Sequence, residues 1–228
     1  TVIIRNNGTD DLTLSANGAF SFPTAVAEGS TYSVSIAQQP IGQTCSVSNG
    51  TGIIPGSDVT NITIDCVDDQ YASGGLLTGL VSGDTVVLQN SGGDDLLLVA
   101  DGAFQFPTTL SLNDSYAVSV RTQPSAPSEQ CVVGQGAGTV AGSDVTNISV
   151  TCTVNTFGIS GNTTGLIPGE SLQLQNNGAD TLTVTSNGAF NFPISLADGS
   201  SYNITIASQP AAQTCTLSNA SGTLSGAD

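Results

Sequence analysis

The stretch NNGTDDLTLSANGAFSFP, residues 6–23, decides the fold because the chain repeats it twice. It returns as NSGGDDLLLVADGAFQFP at residues 90–107 and as NNGADTLTVTSNGAFNFP at residues 176–193, at offsets of 84 and then 86 residues. A second motif, GSDVTNI, occurs at residues 56–62 and again at residues 142–148. Repetition at a fixed period indicates a tandem array of similar units, which we call the first, second and third copies.

Each copy has the sequence pattern of β-strands. Apolar and polar residues alternate in TVIIRN (1–6), TVVLQN (85–90) and SLQLQN (171–176), as in a half-buried strand. For the second copy the pattern predicts seven strands, at residues 76–80, 85–90, 95–100, 103–107, 116–123, 130–135 and 145–152. Seven short strands in about 85 residues, with no helical period, predict an all-β tandem array of three immunoglobulin-like β-sandwiches.

The Asn-Gly or Asp-Gly pair inside the repeated stretch predicts a β-hairpin. A two-residue turn would place the phenylalanines and the preceding leucines on opposite faces. A three-residue loop with Gly18 in the left-handed conformation pairs Leu14 with Phe20 and Leu12 with Phe22, on one face. We expect the second arrangement, because it lets all four apolar side chains reach one core.

Four of the five cysteines are spaced symmetrically about a second predicted hairpin. Cys45 lies as far before residues 55–56 as Cys66 lies after them, and Cys131 and Cys152 share this spacing. A two-residue turn at the centre would set each cysteine opposite its mate, where Cα atoms are close enough for a disulfide. The sequence predicts two disulfides, typical of proteins outside the cytoplasm, with free thiols or metal ligands as the alternatives.

Cys215 has no partner at this spacing. The same rule places its mate about eight residues after Asp228, in a strand that would close the third copy. The first copy lacks the opposite end of the repeat, because Thr1 aligns with Thr85 and no opening strand precedes it. We expect the chain to be a window of a longer covalent array; the alternative is that a neighbouring chain donates the missing strands.

These alignments divide the chain into three domains, 1–70, 71–155 and 156–228, of which the first lacks its first strand and the last lacks its last strand. The linkers at residues 68–73 and 154–159 carry an aromatic residue at the same position, Tyr71 or Phe157. Such a side chain either fixes the angle between neighbouring domains or caps the core of the next domain.

Composition excludes several functional classes. The chain has 2 basic and 18 acidic residues, a net charge of −16, and no His. Proteins that bind nucleic acid neutralise phosphates with Lys and Arg, so this class is excluded, and so is binding to anionic membranes. No apolar run is long enough to insert into a bilayer. The Ser-His-Asp, Cys-His and Ser-Lys catalytic groups are also missing, and we expect no enzymatic activity.

Paired aspartates are the remaining candidate ligands. Asp68 and Asp69 in the first linker, and Asp94 and Asp95 in the second copy, offer the oxygen atoms that calcium prefers. Their spacing matches no EF-hand loop, and aspartates in turns commonly cap the backbone. We therefore expect no cofactor, with calcium at these four residues as the alternative.

The second copy resembles the tandem immunoglobulin-like repeats of large bacterial secreted and cell-surface proteins. The resemblance rests on TVVLQNSGGDDLLLVADGAFQFPTTL (85–110), YAVSV (116–120) and CVVGQGAGTVAGSDVTNISVTC (131–152), and it extends over nearly the whole chain. It implies an extracellular, multi-copy architecture, and it offers no catalytic residues to transfer.

These patterns favour a structural role: an extracellular filament, stalk or surface fibre. The partners would be neighbouring copies of the same repeat, joined covalently or by strand donation. The alternative is an adhesin, or an array of carbohydrate-binding modules, on a bacterial cell surface.

Overall fold

The computed structural model describes residues 1–226, which contain twenty-two β-strands and no helix. The first copy contributes β1 (Val2–Asn6), β2 (Asp10–Leu14), β3 (Thr31–Gln38), β4 (Gln43–Ser48), β5 (Thr51–Ile53) and β6 (Thr63–Asp68). The second contributes β7 (Ser73–Thr78), β8 (Val86–Asn90), β9 (Asp94–Leu98), β10 (Gly102–Gln105), β11 (Ser115–Thr122), β12 (Glu129–Gly134), β13 (Ala137–Thr139) and β14 (Val145–Val154). The third contributes β15 (Thr156–Phe157), β16 (Ser160–Thr163), β17 (Leu172–Asn176), β18 (Asp180–Val184), β19 (Gly188–Asn191), β20 (Leu196–Ala197), β21 (Ser201–Ser208) and β22 (Ser221–Thr223). The predicted all-β class is confirmed.

The chain divides into two compact units. The first consists of Thr1–Ser73, Pro107–Tyr116 and Ala137–Thr146, and the second of the remaining residues. In the first unit, β2, β1, β3 and β5 form an antiparallel sheet in that order, and β4 pairs with β6. Both layers contribute to one core, whose buried members are Val2, Ile4, Val34 and Cys45.

The second unit is built from several antiparallel sheets. One has the strand order β10-β7-β14-β12, and β8 lies between β9 and β11 in another. Strands of the third copy form the sheet β18-β17-β21-β22 and the pairs β16-β19 and β15-β20. The buried core of the third copy consists of Ile159, Leu166, Leu172, Leu174, Val184, Phe192 and Leu224. Antiparallel sheets that share a core fit the β-sandwich class.

The seven strands predicted for the second copy are present as β7 to β12 and β14, with ends within three residues of the prediction. Both disulfides that the spacing predicts are also present. Cys45 faces Cys66 across β4 and β6, and Cys131 faces Cys152 across β12 and β14. In each pair the Cα atoms are 3.9 Å apart, as expected where neighbouring strands approach most closely.

The predicted two-residue turn between the cysteine strands is wrong. Between β4 and β6 the chain leaves this layer, and β5 pairs with β3 in the other sheet. The departure begins at Asn49, which has a φ of +58°. A Cβ atom on the next residue, Gly50, would lie 2.7 Å from the carbonyl oxygen of Val34. The cysteine spacing predicts the register of β4 on β6. The passage of β5 to the other sheet depends on a backbone bend that the alternation of residues does not encode.

The predicted hairpin that pairs Leu14 with Phe20 and Leu12 with Phe22 is also wrong. β2 pairs with β1, and in the second and third copies the aromatic segment pairs with β7 or β16 in a different sheet. The leucines and phenylalanines still contact the same core. In a fold of two layers, side chains on facing sheets share a core without being strand neighbours, so a common apolar face does not identify the pairing.

Candidate functional site

Both basic side chains of the chain are held by aspartates. The Arg5 guanidinium donates to both carboxylate oxygens of Asp11, at 2.5 and 2.9 Å. This hydrogen-bonded contact lowers the pKa of Asp11 and raises the pKa of Arg5. Arg121 forms an ion pair with Asp95. Neither guanidinium is therefore without an acidic partner.

Three of the four candidate calcium ligands accept hydrogen bonds from neighbouring side chains. Asp68 accepts a hydrogen bond of 2.9 Å from Gln43, and Asp69 accepts one of 2.7 Å from a threonine hydroxyl of β4. Asp95 accepts one of 2.7 Å from a glutamine of β8. Within residues 1–226, neither these three nor Asp94 belongs to a cluster of three acidic or sulfur ligands close enough to hold one ion.

One cluster of potential metal ligands does occur in residues 1–226: Glu129, Cys131 and Cys152. The two sulfur atoms are bonded to each other in the disulfide. Because a metal is bound by cysteine as the thiolate, this group cannot supply its sulfur ligands while the disulfide is present.

Glu129 itself is unusual, because it is a buried acidic residue with one unsatisfied oxygen. It is 2% exposed; Oε1 accepts a hydrogen bond of 2.9 Å from the Val81 amide, and Oε2 has no partner. In the third copy Gln213 occupies the equivalent position. Its Oε1 accepts from the Ile167 amide at 2.8 Å, and its Nε2 donates to the Gly165 carbonyl at 3.0 Å. Both polar atoms of the Gln213 amide are therefore hydrogen-bonded, whereas only one oxygen of the Glu129 carboxylate is.

A glutamine also holds the backbone of one cysteine in each copy. The Cys45 amide donates to the Gln39 side chain at 2.7 Å, and that side chain donates to the Cys45 carbonyl at 2.9 Å. The same two bonds join Gln123 to Cys131 and Gln209 to Cys215. Cys215 has this support, but it has no disulfide partner in residues 1–226. The repeated Gln-Pro dipeptide was the sequence signal for this contact, which the sequence analysis missed.

The first linker forms hydrogen bonds with residues of the second copy. All of the residues involved belong to the first unit. The Tyr71 amide donates to the Leu110 carbonyl at 2.8 Å, and the Leu110 amide donates back at 2.9 Å. The next amide, that of Ala72, donates to Asp144 at 2.8 Å. Burial, followed by the nearby Asp69 and Asp144 carboxylates, raises the pKa of Tyr71. The linker is thus an ordered part of this unit.

The second linker repeats the same contact within the second unit. Phe157 lies opposite Leu196, which is the residue equivalent to Leu110, in the β15-β20 pair. The Phe157 ring packs against the core of the third copy. Of the two roles predicted for this aromatic residue, the structure supports capping the core of the next copy.

Asp198 joins the second and third copies within the second unit. Its carboxylate accepts backbone hydrogen bonds from Ser128 at 2.6 Å, Gly226 at 2.8 Å and Gly199 at 3.0 Å. These bonds, that from Ser128 first, lower the pKa of Asp198 because they stabilise the charged form. The residue at this position is Leu112 in the second copy and Glu28 in the first, so an acidic side chain occurs here in two of the three copies.

Comparison with known proteins adds no family: no family model matches the chain, and no curated protein has a similar sequence. Among the residues that the structure describes, no helix has the length and apolar character needed to cross a membrane.

We predict that Glu129→Gln stabilises the second copy by about 1–3 kcal/mol, because the amide can donate a hydrogen bond where Oε2 has no partner. The matched control is the reciprocal change, Gln213→Glu, which should destabilise the third copy by removing the donor to Gly165. Urea unfolding of both variants at neutral pH measures the two effects. Changes of the same sign in the two variants would contradict this interpretation.

We also predict that Asp198 makes stability depend on pH in the acid range. Its pKa is lowered on folding from an ordinary value of 3.8. Its contribution is therefore complete above that value and is lost as the pH falls through the lower, folded pKa. Asp198→Asn should lower the Tm at neutral pH and flatten the acid limb of a plot of Tm against pH, measured by calorimetry. Asp58→Asn removes an exposed aspartate and serves as the control for net charge; parallel acid limbs for wild type and Asp198→Asn would refute the assignment.

Proposed function

We propose that the chain is a non-enzymatic structural protein that forms an extracellular filament, stalk or surface fibre. In this proposal three immunoglobulin-like repeats, at 1–70, 71–155 and 156–228, follow one another as similar β-sandwiches. Their partners are neighbouring copies of the same repeat.

The repeated linker contact is the main support for this proposal. Tyr71 pairs with Leu110 at the first linker, and Phe157 pairs with Leu196 at the second. Backbone pairing immediately after each copy leaves little free chain before the next, unlike a flexible Gly/Ser linker. A protein that holds repeats in series needs such connections, whereas independent binding modules do not.

Composition and covalent chemistry are compatible with an exposed extracellular location. With two arginines, no lysine and no methionine, the chain offers few sites to trypsin-like proteases and none for methionine oxidation. Two disulfides suit an oxidising compartment. A net charge of −16 would keep neighbouring fibres apart at low ionic strength.

An adhesin is the second candidate function. Along β14, Asn147, Ser149, Thr151 and Thr153 alternate with buried residues and are all exposed. This row of amide and hydroxyl groups could hydrogen-bond to a carbohydrate, although any β-surface without lysine would carry similar groups.

Electron microscopy of the purified protein distinguishes the two functions. The structural proposal predicts ordered filaments whose axial repeat corresponds to one repeat or one chain. Dispersed rods that bind defined oligosaccharides on a glycan array would contradict it and would support the adhesin.

A further inference from the structure

The first copy contains a groove at the position where the second copy holds β7. We define the groove as the space between residues 18–22 and residues 62–66. It belongs to a cavity of about 620 Å³ whose lining includes Phe20, Phe22 and Ile62. Within the described residues, 18–22 belong to no sheet and β6 pairs only with β4.

In the second copy the same position is filled by a strand. β7 lies between β10 and β14, and Leu77 on β7 is 1% exposed. In the third copy β16 occupies the equivalent place beside β19, and Ile159, just before it, is buried. Two of the three copies thus contain the strand that the groove of the first copy would accommodate.

The walls of the groove are less buried than their counterparts beside β7. Ile148, Val150 and Cys152 on β14 are all buried, with exposures of at most 4%. The equivalent residues of the first copy are Ile62 and Ile64, which are half-buried, and Cys66, which is exposed. Phe20 and Phe22 are likewise half-buried, whereas Phe104 and Phe106 are buried. Covering these apolar side chains would supply the main driving force for binding a strand.

The residue next to one wall of the groove corresponds to a side chain that binds the strand in the other two copies. Asp101 accepts hydrogen bonds of 2.9 Å from the Gly79 and Leu80 amides, which follow β7. Asn187 accepts one of 2.7 Å from the Leu166 amide, which follows β16. The equivalent residue of the first copy is Asn17, which has no hydrogen-bond partner within residues 1–226. Asn17 is therefore placed to accept from an incoming strand.

The space beside β7 restricts the sequence of the strand that fits. A Cβ atom on Gly75 would overlap the carbonyl oxygen of Ile148, and one on Gly79 would overlap the carbonyl oxygen of Cys152. Gly161 and Gly165 occupy the equivalent positions in the third copy. The strand therefore requires glycine where its backbone passes closest to the neighbouring strand.

Charge favours the same kind of strand. Residues 71–81 contain no charged side chain, and neither do residues 157–167. Asp58 lies in the lining of the cavity, and the whole chain carries a net charge of −16. An uncharged segment avoids the repulsion that an acidic peptide would meet.

We propose that the groove binds the first strand of another copy of the repeat, an uncharged extended segment with the sequence pattern of residues 73–80. The strand would run antiparallel to residues 18–22, with the glycine equivalent to Gly75 opposite Phe20 and the residue equivalent to Leu77 opposite Gly18, as in the β7-β10 register. This inference rests on the proposed function in that it identifies the partner as a neighbouring repeat, and it specifies how that partner binds.

A synthetic peptide tests the proposal. The probe is YASGGLLTGLV, residues 71–81, labelled at its amino terminus and titrated with the full chain at low micromolar concentration, with binding followed by fluorescence anisotropy. We expect saturable binding, at least tenfold weaker binding of the peptide with Gly75→Val, and unchanged binding of the peptide with Leu76→Asn. Leu76 is 52% exposed, and the third copy has Asn162 at this position, so the second peptide is the matched control.

Changes in the chain test the same contact from the other side. Asn17→Ala alters an exposed residue and should weaken peptide binding several-fold, while Asn203→Ala, an exposed position of β21 outside the groove, should not. Chemical-shift changes should map to residues 17–22 and 62–66.

Absence of binding, equal binding of the Gly75→Val peptide, or shift changes confined to the third copy would overturn the proposal. Dimerisation of the chain that the peptide does not inhibit would also overturn the proposal, because a whole second chain would then occupy the groove. Because the measurement uses the dispersed chain, its result is independent of whether filaments form.

Discussion

The close passage of the first strand between its two neighbours is the constraint on which the second copy depends. In the second copy the backbone of β7 approaches that of β14 so closely that Gly75 and Gly79 have no room for a side chain. This approach places Leu77 in the core and covers Ile148 and Val150. The disulfide between β12 and β14 then fixes the next strand of the same sheet. Where the first strand is not in place, the apolar residues of that layer are partly exposed.

Much of this fold could be predicted from the sequence, because its strongest signals are periodic. The repeat defines three similar stretches, the alternation of residues identifies seven strands of the second copy, and the cysteine spacing fixes the register of β4 on β6. The hairpin pairing Leu14 with Phe20 failed for a physical reason. Alternation shows which side chains face the core, but facing sheets share that core, so it does not show which strands are neighbours.

The candidate contacts were less predictable than the strands. Asp68, Asp69 and Asp95 stood out as acidic pairs, yet in the structure they accept hydrogen bonds from neighbouring polar side chains. The residues that connect the copies, such as Asp198, have no acidic equivalent in the second copy. Their role depends on backbone amides that approach only after folding, and no sequence pattern marks such donors.

Amide and hydroxyl groups form the side-chain contacts that lysine and glutamate form in proteins with more charged surfaces. Gln39 and its equivalents hold the cysteine strands by their side-chain amides. Asn6, Asn90 and Asn176 are buried, and each accepts from a backbone amide of the adjacent strand. Such contacts are short-ranged and independent of ionic strength, which suits a chain with few opportunities for ion pairs. Glu129 and Ser73 are exceptions within residues 1–226, because each leaves one buried oxygen without a partner.

Amide hydrogen exchange, resolved by residue, tests most directly the claim that the first strand closes each copy. The Phe192 amide donates to the Ile159 carbonyl at 2.9 Å, just before β16, whereas the equivalent segment of the first copy belongs to no sheet. Val34 and Ile204 occupy equivalent hydrogen-bonded positions in β3 and β21 and serve as internal references. The account predicts similar protection for Val34 and Ile204, strong protection for Phe192, and exchange at Phe22 close to the rate of an unstructured peptide. Equal protection of Phe22 and Phe192 in the isolated chain would contradict it.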